Sequence, residues 1–318
     1  MSANQTWPRY EELPEASEGG RSGWGMFGED DNIGLLNLQT AERIVQAAKL
    51  IRRGTMFALD AAIDAFNPPI APSRGVPRHQ VLHVRGRIGF DDVCDNFYPQ
   101  GSSQWDSLGH VGYAPGIYYN GATEDEVWAG QRNSIDHWAR RGIAGRAVLL
   151  DMPRSAAQAG SDYSPGDGIA FDVSDLERAR ELAGVEFRPG DILILHTGFS
   201  SWYLSLSTDE RREFIIDPRI VGIAPSEQMC SYLWDAQLAA IASDTYMVEV
   251  MPFNPESPTT FLHRMLIGQF GMALGELWWT EDLAQDCAED GVYEVFLTSA
   301  PLNIPGGLGS PPNAIAFK

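Results

Sequence analysis

Residues 133–153, NSIDHWARRGIAGRAVLLDMP, contain the helix-to-strand step that decides the fold. The stretch Asn133–Gly142 has the pattern of a short helix, and RAVLLDMP is typical of a buried strand that ends at Pro153. The same step recurs twice, from VSDLERARELAGV (173–185) to ILILHTG (192–198) and from APSEQMCSYLWDAQ (224–237) to LAAIASD (238–244). Strands separated by helices predict a mixed α/β fold.

The remaining segments extend the same pattern without an internal repeat. The stretch Thr40–Gly54 carries helix start and stop signals, and TTFLHRMLIGQFG (259–271) predicts a last helix. Strands are predicted at MFALDAAI (56–63), QVLHVRGRIGF (80–90) and the start of YEVFLTSAPLNIPGG (293–307). No linker divides the chain, so we expect one domain over residues 1–318. Residues 1–25 are rich in Pro, Gly and charge, and they predict an arm that lies on the domain or on a neighbouring copy.

Composition excludes several classes of function. The 318 residues include 23 basic and 43 acidic side chains, a net charge of −20, which argues against binding to nucleic acid or to an anionic membrane. No apolar run reaches the roughly 18 to 20 residues of a membrane span. The polar, acidic start shows no signal peptide, and the three scattered cysteines Cys94, Cys230 and Cys287 predict buried free thiols. We therefore expect a soluble, cytoplasmic protein that acts on a small molecule.

The stretch QGSSQWDSLGH (100–110) carries the chemistry. Its polar side chains all fall on even positions, namely Gln100, Gln104, Asp106 and His110. An extended chain would place all four on one face, with Trp105 on the other, whereas a helix would split them around its axis. Four convergent polar groups are what a metal site or a catalytic cleft needs, although a solvent-facing strand edge gives the same pattern.

The spacing resembles a known motif. It matches H-x-x-x-H-x-D-x-x-x-H of the cyclase family of metal-dependent hydrolases, which includes bacterial kynurenine formamidases and isatin hydrolase. Glutamines replace the first two histidines, and the resulting Q-x-x-x-Q-x-D-x-x-x-H form is similar to the trans-dienelactone hydrolase branch. Further similar segments are DDNIGLLNLQTAER (30–43), IDHWARRGIAGRAVLLD (135–151), GDILILHTGF (190–199), ASDTYMVE (242–249) and HRMLIGQFGMALGEL (263–277).

The resemblance implies a fold and a set of site residues. The fold would be a cyclase-type swivelling β/β/α-like domain, with a mixed sheet or flattened barrel surrounded by helices. His110 would be the general base, and Glu276 would serve both as a catalytic residue and as a metal ligand. The implied metal ligands are Gln100, Gln104, Asp106, His263 and Glu276, of which the last two either complete one metal site or support a second.

The positions of His263 and Glu276 in the sequence set a geometric condition. Thirteen residues separate His263 from Glu276. On one continuous helix they would lie about 220° apart around the axis and face different ways. The helix must therefore end between them. Gly268 and Gly271 provide plausible breaks, after which MALGEL (272–277) predicts a strand that returns Glu276 to the cleft.

The glutamines influence the choice of metal. An amide oxygen is a hard and weaker donor than imidazole, and oxygen ligands suit Mn²⁺ better than Zn²⁺. Manganese is therefore the first expectation for a divalent cofactor and zinc the second. In the alternative, the site has lost its metal, and Gln100 and Gln104 donate hydrogen bonds to a substrate carbonyl.

Residues for substrate binding are predicted around this motif. They are Tyr118, Tyr119, Asn120 and Trp24. A carboxylated substrate would need an arginine, but the sequence does not choose among Arg74, Arg78, Arg85 and Arg87. His196 is expected to be a core or turn histidine. For Asp244 and Glu249, packing and substrate contact are equally open.

The sequence thus predicts a metal-dependent hydrolase that opens a small cyclic ester or amide, with a dienelactone-like lactone of aromatic degradation favoured. Two alternatives stay open: a metal-free lyase, isomerase or cyclase that uses the same His-centred pocket, and a non-catalytic binder of small molecules. The family resemblance also implies a homo-oligomer, a dimer or a tetramer.

Overall fold

The computed structural model describes residues 7–254 and 261–318. The strands are β1 (Met56–Ala58), β2 (Arg78–Val84), β3 (Gly89–Asp95), β4 (Gln104–Asp106), β5 (Ile143–Asp151), β6 (Ala170–Phe171), β7 (Ile192–His196), β8 (Gly222–Ile223), β9 (Ala240–Ser243), β10 (Ala273–Glu276), β11 (Glu294–Ser299), β12 (Gly309–Ser310) and β13 (Ala314–Phe317). The α-helices are α1 (Ala41–Ala48), α2 (Glu124–Trp128), α3 (Asp136–Arg141), α4 (Met152–Gln158), α5 (Val173–Ala183), α6 (Phe199–Ser205), α7 (Thr208–Phe214), α8 (Glu227–Asp235), α9 (Leu262–Met265) and α10 (Glu281–Asp290).

One mixed sheet of nine strands organises the molecule, in the order β1-β13-β11-β5-β7-β9-β10-β4-β12. Strands β5, β7, β9 and β10 are parallel, and the strands on either side of them pair antiparallel. The parallel strands are short apolar runs buried along nearly their whole length, because helices cover the sheet. The prediction of a mixed α/β fold with a mixed sheet surrounded by helices is confirmed.

Several element boundaries differ from the sequence prediction. The expected strand at 80–90 is an exposed hairpin of β2 and β3, because Arg85, Gly86 and Arg87 adopt positive φ and reverse the chain. Pro153 does not only end β5. It lies at the start of α4, where its missing N–H costs nothing. Helix α1 stops at Ala48, earlier than Gly54.

The last predicted helix is interrupted. Helix α9 gives way to a π-helical turn at Leu266–Phe270, and the chain reverses at Gly271, where φ is +70°. A Cβ at Gly271 would lie 2.4 Å from the Tyr119 ring, so only glycine fits there. Strand β10 follows, as the break between His263 and Glu276 requires. Thr259 and Thr260 of the predicted helix lie outside the described residues.

The N-terminal segment lies on the domain. The Trp7 ring stacks on Trp234 at 4.6 Å between centroids, and the Tyr10 backbone N–H donates to Asp235 at 2.7 Å. Among the residues described, no helix is long and apolar enough to span a membrane. Cys230 and Cys287 are buried free thiols, as predicted. The prediction of burial is wrong for Cys94, which is exposed because it lies on the two-stranded hairpin of β2 and β3.

Candidate metal centre

Two antiparallel neighbours in the sheet form the floor of the candidate site. Gln104 of β4 lies opposite Glu276 of β10, and the two-residue period of a strand places Asp106 on the same face as Gln104. The Gln104 amide nitrogen donates to Glu276 Oε2 at 2.7 Å and to Asp106 Oδ1 at 3.3 Å. Trp105 points the other way, into the core beside Trp278.

His263 of α9 completes the cluster. Its Nε2 lies 2.9 Å from Glu276 Oε1 and 3.8 Å from Asp106 Oδ2. One ligand atom from each of Asp106, His263 and Glu276 falls within 4.8 Å of the others, and all three residues are buried. Because His263 and Glu276 are carried by separate elements, their side chains converge despite the unfavourable helical spacing.

The residues present fit a divalent cation. Asp106 Oδ2 and Gln104 Oε1 are buried and have no hydrogen-bond partner among the described residues. A buried acceptor without a partner is costly, and a cation beside Asp106, His263 and Glu276 would satisfy Asp106 Oδ2. Two carboxylates, one imidazole and one amide oxygen form a donor set in which hard oxygen predominates.

Glu249 fixes the orientation of His263. This fully buried carboxylate accepts from Nδ1 of His263 at 2.8 and 3.0 Å and from its backbone N–H at 3.3 Å. Nε2 is thereby left to face Asp106 and Glu276. Burial opposes protonation, but the Glu249 and Glu276 carboxylates outweigh it and raise the pKa of His263 well above its usual value.

The neighbouring carboxyl also has a perturbed pKa. Burial and then the nearby Asp106 charge raise the pKa of Glu276 to about 7, against the lowering influence of His263 and Arg74. A carboxylate and an imidazole that hold a proton between them must release it when a cation binds. A cation that bound to this cluster would therefore displace a proton.

His110 reaches the cluster through a turn rather than along a strand. Strand β4 ends at Asp106, and the His110 backbone N–H donates to Ser107 at 3.0 Å. The ring Nε2 lies 3.7 Å from Asp106 Oδ1, and 23% of the side chain is exposed. Burial lowers the pKa of His110, with His263 and Arg74 acting in the same direction against Asp106, so the ring is neutral near pH 7.

The expectation that residues 100–110 form one extended face holds only for 104–106. Gln100 lies in the turn before β4, with its side chain against the Gly309 backbone, where a Cβ would come within 2.6 Å of Nε2. The described group of convergent ligand atoms is Asp106, His263 and Glu276. Gln100 as a metal ligand stays a prediction.

The four predicted substrate-binding residues have structural contacts. Tyr119 is fully buried, with its hydroxyl 3.2 Å from Asp31, and the Asn120 side chain bonds Gly25, Gly28 and Glu29 of the N-terminal segment. The Trp24 indole donates to the Gly268 carbonyl at 2.8 Å, and the Tyr118 ring packs against Gly112. These contacts join the N-terminal segment to the His110 loop and the π-helical turn. Substrate binding by these four residues stays a prediction.

Two further residues left open by the sequence are now placed. The Asp244 carboxylate accepts from the backbone and hydroxyl of Thr197, both at 2.8 Å, and His196 bonds Thr280 at 2.8 Å, as expected of a core histidine. Glu249, by contrast, contributes to the candidate site, because it accepts hydrogen bonds from His263. The only sequence signal for this difference is the D-x-x-x-x-E spacing, which does not say what each acid contacts.

Comparisons with known proteins agree with the fold. The family model Cyclase, described as "Putative cyclase", matches residues 57–250. A crystal structure described as a novel cyclase is 34% identical, with a TM-score of 0.83, and the match covers 93% of this chain and 99% of that one. No curated protein matches the sequence.

More distant structures share the fold. Isatin hydrolase A from Labrenzia aggregata, bound to benzyl benzoate, is 16% identical with a TM-score of 0.59, and the match covers 86% of this chain and 97% of that one. An isatin hydrolase bound to the product analogue thioisatinate is 14% identical with a TM-score of 0.58, and the match covers 87% and 98%. The family model spans more than half of the chain, and the 34% identical structure aligns along nearly its whole length. This protein is therefore a member of the cyclase family.

Proposed function

We propose that this protein is a divalent-metal-dependent hydrolase that opens a small cyclic ester or amide, with a dienelactone-like lactone as the leading substrate. The observation that carries the proposal is the buried cluster of Asp106, His263 and Glu276, with unpartnered oxygens on Asp106 and Gln104 and with His110 Nε2 at 3.7 Å from Asp106. The solved isatin hydrolases with the same fold support the choice of a cyclic substrate.

Asp106, His263 and Glu276 would hold the ion, and Gln104 would join them if its amide turned to present Oε1 in place of the nitrogen that now donates to Glu276. Mn²⁺ is preferred over Zn²⁺ because oxygen donors predominate. When bound, the ion supplies a Lewis acid that polarises a carbonyl and lowers the pKa of water. Glu249 contributes by holding His263 in the tautomer that presents Nε2.

His110 moves the proton. Because burial keeps its pKa low, the ring accepts a proton from the attacking water at neutral pH. It then returns that proton to the leaving oxygen of a lactone, or to the leaving nitrogen of a cyclic amide. The acyl C–O or C–N bond breaks, a new C–O bond forms to water, and the product gains one water.

Elemental analysis tests whether the protein binds a divalent metal. Protein purified without chelator is measured before and after incubation with Mn²⁺ or Zn²⁺. We expect wild type to retain about one equivalent of metal, or about two if His263 and Glu276 support a second ion. Gln104→Ala and Asp106→Ala should lose the metal. Gln39→Ala is the matched control, because Gln39 is an equally buried glutamine against Gly145, away from the cluster. No retained metal in any condition would overturn the proposal.

Product mass tests the reaction. Hydrolysis of a candidate lactone adds one water, about 18 Da, whereas a lyase, isomerase or cyclase reaction adds none. Ring opening with that mass gain, dependent on added metal, supports the hydrolase. A product of unchanged mass would favour proton-transfer chemistry centred on His110.

We also propose that the chain forms a homo-oligomer through the β2–β3 hairpin. A two-stranded ribbon alone is marginally stable in water, yet this one exposes Val81, Ile88 and Phe90 by 61, 87 and 65%. Light scattering after gel filtration should give a dimer or tetramer of the 35.0-kDa chain, and Ile88→Ser with Phe90→Ser should give the monomer. A monomeric wild type would refute the proposal.

A further inference from the structure

A second cavity lies beneath helix α1, away from the candidate metal centre. It has a volume of about 460 Å³ and is bounded by one face of α1, by Ala144–Arg146 of β5 and by Arg188–Asp191 before β7. These segments lie toward the amino ends of two parallel strands, whereas Glu276 stands at the carboxyl end of the parallel strand β10. The cavity and the metal centre therefore lie toward opposite edges of the sheet.

One wall of the cavity contains a buried amide without a partner. Gln39, which precedes the helix cap Thr40, is 3% exposed, and neither its Nε2 nor its Oε1 has a hydrogen-bond partner among the described residues. The amide lies against the backbone of Gly145, which also lines the cavity, and a Cβ at Gly145 would come within 3.1 Å of Nε2. An unpaired buried amide is costly. A lactam or imide edge, with one donor beside one acceptor, would satisfy both of its atoms.

The same cavity is lined by arginines. The Arg43 guanidinium donates to one backbone carbonyl, and within residues 7–254 and 261–318 no carboxylate forms an ion pair with it. Arg188 has a side chain that is 62% exposed, and its guanidinium lies 3.7 Å from Glu294. Arg146, by contrast, is buried and already paired with Asp191 and Glu294. Two guanidinium groups therefore line the cavity with N–H donors still available.

We propose that this cavity is a second binding site, for a small cyclic carboxylic acid that also carries an amide or imide edge. The carboxylate would pair with Arg43, because a planar guanidinium matches its two oxygens, and the amide edge would pair with Gln39. Glu42 lies on the same face of α1, but its carboxylate bonds the Thr40 hydroxyl and its own backbone N–H. The inference does not depend on the proposed function, because no residue of the cavity belongs to the metal centre.

Three small ring compounds separate the two contacts. Orotate carries both a carboxylate and an imide edge, uracil carries only the imide, and benzoate carries only the carboxylate. Their binding to the full-length, metal-free protein is measured by calorimetry. Wild type should bind orotate at least about tenfold more tightly than it binds either of the other two, because each contact adds free energy.

Variants assign each contact to its residue. Arg43→Gln should weaken orotate binding about 10- to 100-fold and change uracil binding less than about threefold. Gln39→Leu should weaken orotate and uracil binding about 5- to 30-fold and leave benzoate binding within about threefold. The matched control is Arg52→Gln, because Arg52 is an exposed arginine just after α1 that does not line the cavity. This control should bind all three probes as wild type does.

A further variant tests the location. Asp106→Ala should bind orotate as wild type does, because the metal centre lies elsewhere. An equal loss in Asp106→Ala and Arg43→Gln would overturn the inference, since orotate would then occupy the metal centre. Equal losses on all three probes in Arg43→Gln would also overturn it, because Arg43 would then only support the fold. So would the absence of orotate binding to wild type at about 10 mM or below.

Discussion

Replacement of Glu249 by glutamine tests how much the hydrogen bonds from Glu249 to His263 contribute to metal affinity. Glu249 is fully buried, and both of its oxygens lie within 3.0 Å of His263 Nδ1, while one also accepts the His263 backbone N–H. Glutamine keeps the size but offers one acceptor in place of two and carries no charge. Partners of metal-bound histidines are worth about 10- to 100-fold in metal affinity.

The loss should fall in the upper part of that range, because three contacts of a buried anion change at once. We expect Glu249→Gln to weaken Mn²⁺ binding by about 30- to 100-fold. Glu249→Ala should be worse and should also unfold more easily, because it leaves a buried imidazolium with one partner fewer. The affinity is read from titration of the metal-free protein by calorimetry, with free Mn²⁺ followed independently by its electron paramagnetic resonance signal.

Asp244→Asn is the matched reference. Asp244 is equally buried and lies five residues earlier, but it bonds Thr197 rather than His263. This variant should lose thermal stability and keep its Mn²⁺ affinity within about threefold. Wild-type affinity in Glu249→Gln would refute the reasoning, and so would an equal loss in both variants, because the effect would then be one of loop stability.

Three further outcomes are expected. His110→Ala should lower kcat for ring opening by about 10² to 10⁴ while Mn²⁺ affinity stays within a fewfold, and a loss below tenfold would count against a general base. Gln104→His should shift the ratio of Zn²⁺ to Mn²⁺ affinity toward zinc, because imidazole replaces an oxygen donor, as competition between the two metals will show. Lys318→Met should cost about 1 to 2 kcal/mol at pH 7 in urea unfolding, because Lys318 pairs with Asp286 at 2.8 Å and with Asp290 at 2.7 Å. Although burial raises the pKa of Asp286, Lys318 and Arg53 lower it on balance, so this stabilisation exists above about pH 4 and is lost as the pH falls; the acid limb of stability should therefore be flatter in the variant.

Local patterns were sufficient for much of the fold. The apolar runs of β5, β7 and β9 and the helices before them follow from periodicity, because period and burial are properties of a short segment. One element that differed from the prediction has its cause in unusual backbone angles. The hairpin of β2 and β3 depends on positive φ at Arg85 and Arg87, which arginine seldom adopts, so Gly86 between them was the turn signal in the sequence.

Only part of the candidate site could be predicted from the sequence. Alternation along β4 places Gln104 and Asp106 on one face, but the same argument does not extend to His110, since β4 ends at Asp106 and a turn follows. The break between His263 and Glu276 was predictable because glycines stood where the helix had to stop. The π-helical turn that precedes the reversal at Gly271 was not.

The sequence by itself determined the type and order of the elements, the acidic character of the chain and the residues of the motif, because each depends on composition or on the geometry of a few consecutive residues. Only the tertiary structure decided which of these residues meet. The pairing of β10 with both β9 and β4 brings Gln104 to Glu276. The contact of α9 with the loop after β9 gives His263 its partner Glu249. The fold also places Arg74 against the Gln100 carbonyl, whereas Arg78, Arg85 and Arg87 lie on the β2–β3 hairpin. Such choices depend on strand order and on contacts between distant segments, which no local spacing encodes.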